Sequence, residues 1–178
     1  MKTTLLLLLF SFATVNAQEK WSTTKAVISF EASVPFFEPI QASSATTHCT
    51  LNTKKETILF VVNVKDFRFE RSLMQQHFNE NYLETKRYPK AIFKGKIVKF
   101  DSSKLSNFQS TYNIEGVLTI HGKSQQMRVP AYIKKVGKKL ELATSFNLNT
   151  DDFNIQIPFL VRDKIAKNVH VSLVAVLE

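Results

Sequence analysis

The sequence predicts an all-β fold, either a β-sandwich or a closed β-barrel, and three observations lead to this prediction. Most segments alternate apolar and polar residues with a period of two, the pattern of a strand with one buried face. Tight-turn sequences join several of these segments, so consecutive strands are expected to pair as hairpins. The chain also contains no internal repeat or linker. Consecutive hairpin strands of similar length close into a sandwich or a barrel.

The first half of the chain contains two predicted strands and one predicted helix. Residues 26–34 alternate, and residues 57–64 are apolar on both faces, which indicates a strand covered on each side. Residues 71–79 predict one short helix, because apolar side chains recur there at helical spacing. The inward face of the first strand is formed by Ile28, Phe30, Ala32 and Val34.

The second half of the chain continues as strands, joined by turns at His121-Gly122 and at Gly137. Glycine suits such turns because it adopts backbone conformations that other residues avoid. Alternation places Phe93 and Leu118 on inward faces, with lysines on the outward face beside Phe93. The predicted strands cover residues 91–98, 112–120, 125–134, 140–148 and 168–177.

The interior of a barrel of about eight strands is either just filled by side chains or wide enough for one small ligand. The predicted inward faces mix large residues with small ones such as Gly95, Gly116 and Ala131, which fits tight interlocking as well as a groove. The chain has 15 phenylalanines and one tryptophan. Phenylalanine brings no polar group that needs a partner, so a wholly apolar interior is favoured.

The chain begins with a predicted signal peptide, residues 1–17, followed by one domain, residues 18–178. Lys2 precedes a short apolar run, and small residues stand one and three positions before a cut expected after Ala17. The run is too short to cross a bilayer, which needs about 20 residues. The only cysteine, Cys49, is too far from the cut to carry a lipid anchor. A periplasmic or secreted location is therefore expected.

Cys49 has no partner for an internal disulfide. Its first interpretation is a small hydrophobic residue in the core, which is the common state of a free cysteine. A reactive thiol or an intermolecular bridge is the alternative.

A formal net charge of +9 raises the question of an anionic partner. The only dense basic group flanks Gly137 at a predicted hairpin tip, where solvation explains it. An exported protein also meets little nucleic acid, so we expect no nucleic-acid partner. Surface docking, including transient contact with a membrane, is the lesser alternative. The lysines of this basic hairpin are Lys134, Lys135, Lys138 and Lys139.

The sequence contains no G-x-S-x-G elbow, no glycine-rich phosphate loop and no H-E-x-x-H pair. His77 and Glu80 could share a helical face, but zinc needs a further protein ligand. Asp151 and Asp152 are explained as caps of a short helix. We expect no catalytic residue, metal or cofactor. An enzyme would require His77 or His121 to converge with carboxylates in one pocket.

Three segments together resemble the YceI-like family of secreted bacterial proteins. They are HFNENYLETKRYPKAIFKGKI (77–97), IEGVLTIHGKSQQMRVP (114–130) and SFNLNTDDFNIQIPFLVRDKIAKNVHVSLVA (145–175). Each segment alone is a weak motif, but their order and spacing make the resemblance specific. With the early WSTTKAVISFEAS it covers nearly all of residues 18–178.

The resemblance implies a lipocalin-like, extended antiparallel β-barrel, with one short helix at its mouth and a hydrophobic channel. In the family this channel is associated with polyisoprenoid lipids, isoprenoid quinones or fatty acids. The protein is therefore expected to be a non-catalytic exported binding protein, which holds a long apolar amphiphile for transport, storage or stress protection. The side chains expected to line the channel are Phe30, Phe60, Phe93, Leu118 and Phe146. Those expected at the mouth are Met74, Phe78 and Tyr82.

Three alternatives stay open beside this expectation. The interior could be solid, in which case the barrel would bind a protein or membrane surface through its basic hairpin. For Met74 and Phe78, closing the core is as good an interpretation as contacting a ligand. A homodimer is also open, since an exposed edge or mouth could pair two barrels.

Overall fold

A computed structural model describes residues 19–178 and contains a closed antiparallel β-barrel. The strands are β1 (Lys20–Glu31), β2 (Gln41–Asn52), β3 (Thr57–Asn63), β4 (Arg68–Phe69), β5 (Lys90–Val98), β6 (Ser110–Ile120), β7 (Lys123–Val136), β8 (Lys139–Asn149) and β9 (Asn168–Leu177). They run in the order β1-β9-β8-β7-β6-β5-β3-β2, and pairing of β1 with β2 closes the barrel. The very short β4 pairs with β2 at one end.

The predicted short helix is confirmed as α1 (Ser72–His77), which continues into a π-helical turn, Phe78–Tyr82. The amide of Leu83 closes this turn by donating to the carbonyl of Phe78. Within residues 19–178, none of the helices combines the length and apolar character needed to cross a bilayer. The predicted signal peptide, residues 1–17, lies outside the described residues.

The period-two alternation identifies the inner face of most strands. On β5, Phe93 and Ile97 are buried while the intervening lysines are exposed. On β3 the inner residues are buried, but Leu59 and Val61 on the outer face are only half-buried. The prediction that this strand is covered on both sides is therefore wrong for its outer face.

The strand β2 was not predicted, because its sequence QASSATTHCTLN lacks an apolar alternation. Its buried positions change parity between Ser44 and Thr47, opposite irregularities in the pairing of β1 around Ala26. Such bulges shift the side chains that follow to the other face. Because several residues at the buried positions are small or hydroxylated, the buried face of this strand produces no hydrophobic alternation in the sequence.

One end of the barrel is solidly packed. This closed end carries the β7–β8 turn at Gly137, and the opposite, open end carries α1. The inner side chains at the closed end form one contiguous core and are almost inaccessible to water. They include Leu51, Ile97, Ile114, Ile133, Leu140 and Leu177.

Surface ion pairs engage two lysines of the basic hairpin, and an asparagine caps the short helix that contains the two aspartates. In the basic hairpin, Lys134 binds Glu141 at 2.7 Å and Lys139 binds Glu178. The short helix Thr150–Phe153 is capped by the side chain of Asn149, which accepts from the Asp151 amide at 3.0 Å. The prediction that the aspartates cap this helix is therefore wrong, because the preceding asparagine already occupies the capping position.

Cys49 lies in the main core with no accessible surface, which confirms the first interpretation of this residue. Burial raises the pKa of its thiol far above the ordinary value, so the reactive thiolate is disfavoured. We expect native protein to resist iodoacetamide at pH 8 and to be alkylated fully in denaturant, as measured by intact mass. Rapid alkylation without denaturant would show that this part of the core opens readily.

Candidate functional site: an apolar channel open at one end

The half of the barrel nearest α1 encloses a cavity of about 510 Å³. Its wall comes from the inner faces of every long strand except β2, together with α1 and the segments that follow β1 and β8. This volume falls within the range of about 300–1,000 Å³ that is usual for ligand sites. The interior is thus packed at the closed end and hollow at the open end. The two predicted alternatives, a filled interior and one wide enough for a ligand, each describe one half of the barrel.

The floor of the channel is a layer of three residues on adjacent strands. Phe60, Phe93 and Leu118 are cross-strand partners on β3, β5 and β6 and are all buried. The rings of the two phenylalanines lie 6.1 Å apart between centroids. Directly below this layer, Gly95 pairs with Gly116. Because neither glycine has a side chain, the Phe93 ring and the Ile114 side chain can lie close to Gly95, and the backbone of β5 can lie close to Gly116.

All eight side chains named from the sequence line this cavity. Phe60, Phe93 and Leu118 lie at the floor, and Phe30 and Phe146 lie nearer the mouth on β1 and β8. The three mouth residues, Met74, Phe78 and Tyr82, belong to α1 and the π-helical turn. Their positions are thus established, while their contact with a ligand stays a prediction.

An aromatic cluster secures the helix over the mouth. Phe78 stacks on Phe30 with centroids 5.5 Å apart and an interplanar angle of 20°. It also contacts Phe67 at 5.7 Å and Phe69 at 5.0 Å. Phe78 therefore packs against the core and lines the channel at the same time, so its two interpretations are compatible.

Phe67 and Phe69 are wall residues that the sequence interpretation missed. They flank Arg68 in the short segment FRF, whose alternation is the signal that could have identified them. A run of two or three residues is too short to stand out from chance, and only its pairing with β2 makes it a strand.

The acidic and basic side chains that line the described channel all lie at the open end. They are Glu38, His77 and Lys164, of which Glu38 also pairs with Arg71. Tyr82 lies nearby, and burial raises the pKa of its phenol, so the hydroxyl keeps its proton and can donate a hydrogen bond. The arrangement offers an apolar channel with polar groups at its entrance.

His77 and His121 lie in different places. His77 lines the channel mouth, where Glu38 is the acidic lining residue, whereas His121 lies outside the wall and binds Glu84 at 2.9 Å between Nε2 and Oε2. The other ring nitrogen of His121 contacts the Phe153 carbonyl at 3.3 Å, and its ring meets Tyr88 edge-on. These contacts fasten the segment after α1 to the barrel, which is a structural role. Residues 19–178 contain no group of three side chains placed to hold a metal ion.

A closed antiparallel barrel with one packed end and one apolar channel defines a lipocalin-like class of fold. The family model of the YceI-like domain matches residues 17–177. The chain therefore belongs to the YceI-like family, which confirms the resemblance drawn from three sequence segments. No curated protein matches the chain in sequence.

Solved structures share this fold at low sequence identity. A polyisoprenoid-binding domain from Saccharophagus degradans, implicated in plant cell wall breakdown, is 12% identical with a TM-score of 0.78, covering 90% of this chain and 98% of its own. Burkholderia cenocepacia BcnA is 18% identical with a TM-score of 0.69, covering 86% and 96%. The Campylobacter jejuni YceI protein is 17% identical with a TM-score of 0.55, covering 73% and 79%. At these identities the likeness concerns the fold.

Proposed function

We propose that this protein is a non-catalytic, exported binding protein that holds the tail of a long amphiphile in its channel. The observation that carries the proposal is the apolar cavity of about 510 Å³, packed shut at one end and open at the other. The fold likeness to a polyisoprenoid-binding domain supports a polyisoprenoid, isoprenoid quinone or fatty acid as the ligand class. Transport, storage or protection under stress are the roles such binding would serve.

A channel that is packed at one end and open at the other also sets the orientation of the ligand. The tail enters first and contacts the floor, while the head group stays beside Glu38, His77 and Lys164. Burying one CH₂ group contributes roughly 0.8 kcal/mol, so a tail of about ten to fifteen carbons contributes on the order of 10 kcal/mol. This gain offsets most of an association cost of about 4–15 kcal/mol, so affinity does not require a charged anchor.

The contacts we propose follow the depth of the channel. Phe60, Phe93 and Leu118 meet the end of the tail, and Phe30 and Phe146 meet its middle. Near the head group, the contacts come from Met74, Phe78 and Tyr82.

The alternative of a solid interior acting through the basic hairpin is not favoured. The half of the barrel nearest α1 contains a cavity, and two lysines of the hairpin, Lys134 and Lys139, are engaged by carboxylates. The hairpin also lies at the closed end, remote from the opening.

Mass spectrometry of an organic extract tests the proposal directly. Protein purified from its exported compartment should release about one isoprenoid or acyl molecule per chain. The variant Ala91→Phe, which adds a ring to the channel wall, should release much less. A folded protein that yields no such molecule and takes up no added polyprenol would contradict the proposed function.

A further inference from the structure

Large apolar side chains project into solvent around the channel opening. Phe36 is fully exposed, and Phe159 and Leu160 keep 80% and 89% of their accessible surface. Leu73 on α1 is exposed beside the same opening. Isolated exposed apolar residues are ordinary, but several at one rim indicate an interaction surface. We define this rim as the loop 32–40, α1 and the segment 158–165.

The rim is a connected part of the channel mouth. The Ala166 amide donates to the Ala32 carbonyl at 2.9 Å, which joins the two loops at their bases. Closer to the tips, Lys164 Nζ lies 5.9 Å from the centre of the Phe37 ring. The side chains of Lys164 and Phe37 also line the channel. A partner that covers the rim therefore faces the channel opening.

Backbone conformation indicates that the exposure of Phe36 is built into the loop. Its φ of 69° lies in the left-handed region, which bulky residues rarely occupy. Neither burial nor packing of the ring compensates for this conformation within the barrel. A strained, exposed aromatic residue at a channel mouth points to a contact made outside the barrel.

Basic groups stand directly beside these apolar tips. The Arg162 guanidinium lies 5.7 Å from the Phe159 ring centre, and Lys164 accompanies Phe37. Arg162 and Lys164 balance Glu38 and Asp163 in number within the rim, and Glu38 is also paired with Arg71, which lies just before α1. The basic groups, and not the acidic ones, are those seen against the aromatic rings. The whole chain carries +9. Aromatic rings flanked by Arg and Lys are the pattern that binds the interface of an anionic bilayer.

We propose that the rim docks onto the surface of an anionic phospholipid bilayer and places the channel opening against the lipids. The inference rests on the proposed function, since it gives an apolar tail a route into the channel that avoids water. The exposed apolar side chains of the rim fit a bilayer surface better than they fit a small ligand, because they point outward and not into the cavity.

Vesicle flotation tests this docking with a matched control. The test variant carries Phe36→Ser, Phe159→Ser and Leu160→Ser, and the control carries Phe108→Ser. Phe108 is 77% exposed in the segment between β5 and β6, at the closed end. On vesicles of phosphatidylethanolamine and phosphatidylglycerol, the triple variant should bind at least about tenfold more weakly than wild type. The control should bind as wild type does.

A second measurement separates this inference from the proposed function. Uptake of the apolar fluorophore N-phenyl-1-naphthylamine without vesicles should be equal in wild type and the triple variant, which also shows that the variant is folded. Normal uptake by a wild type that ignores vesicles would overturn docking and leave the proposed function intact. Equal flotation of the triple variant and wild type would also overturn it. Docking would likewise be overturned if sedimentation showed that the wild type is a dimer, that the triple variant is a monomer, and that neither binds vesicles.

Discussion

Loading of the channel is expected to be abolished by Leu118→Lys. Leu118 lies at the floor, where its side chain is 6% exposed and pairs across strands with Phe93. A lysine there would either place an unpaired charge in the channel or extend its stem through the volume that the tail fills, and both outcomes oppose binding. Loading is measured by mass spectrometry of extracted lipid and by uptake of an added polyprenol.

Two companion variants separate lost binding from lost folding. Ala91→Phe fills part of the same channel with an apolar ring and should reduce loading while the barrel stays folded. Asn113→Lys introduces the same charge at an exposed position on the outer face of β6 and should load normally. Full loading of both Leu118→Lys and Ala91→Phe would place the tail outside the channel.

The second large effect is expected at Gly116, where an added methyl group has no room. A Cβ atom there would lie 2.4 Å from the Lys94 carbonyl oxygen and 2.6 Å from the Gly95 Cα. Both obstacles are backbone atoms, so relief requires the β5–β6 pair to move apart beneath the channel floor. We expect Gly116→Ala to lower the free energy of unfolding by about 1–3 kcal/mol, the usual cost of overpacking. Urea denaturation followed by circular dichroism measures the change.

Other substitutions on these two strands act as controls. Asn113→Ala, on the outer face of β6, should leave the urea midpoint nearly unchanged. Gly95→Ala should cost less than Gly116→Ala, since two of its three close contacts are side-chain atoms of Ile114 and Phe93 that can shift. A Gly116→Ala protein with the wild-type midpoint would show that the strands separate without cost.

The two predictions address different halves of the barrel. The closed end supplies stability through close packing, so added volume there is destabilising. The open end has unfilled volume, so added volume there is tolerated but competes with a ligand. A variant that loses loading but keeps its stability, and another that does the reverse, would show this division experimentally.

Several features could be predicted from the sequence because they depend on near neighbours in the chain. Alternation on β5 and β6 determines that Phe93 and Leu118 point inward, and this holds in the fold. The turn at His121-Gly122 is readable because both residues need a positive φ, which the structure shows at 51° and 72°. The family resemblance then extended these local patterns to a whole barrel.

Other features were decided only by the tertiary structure. The strand β2 has no hydrophobic period, and its inner face exists because bulged pairing with β1 turns Thr47 and Cys49 inward. The identity of Phe67 as a wall residue depends on its contacts with Phe30 and Phe78, which are distant in sequence.

The division between a packed end and a hollow end is also a tertiary property. Local periodicity determines which face of a strand points inward, because alternation is set by consecutive residues. It does not determine how much of the enclosed volume those side chains fill, since that volume depends on closure by all eight long strands. The sequence by itself therefore determined an apolar-lined barrel, and the tertiary packing decided where that barrel is open.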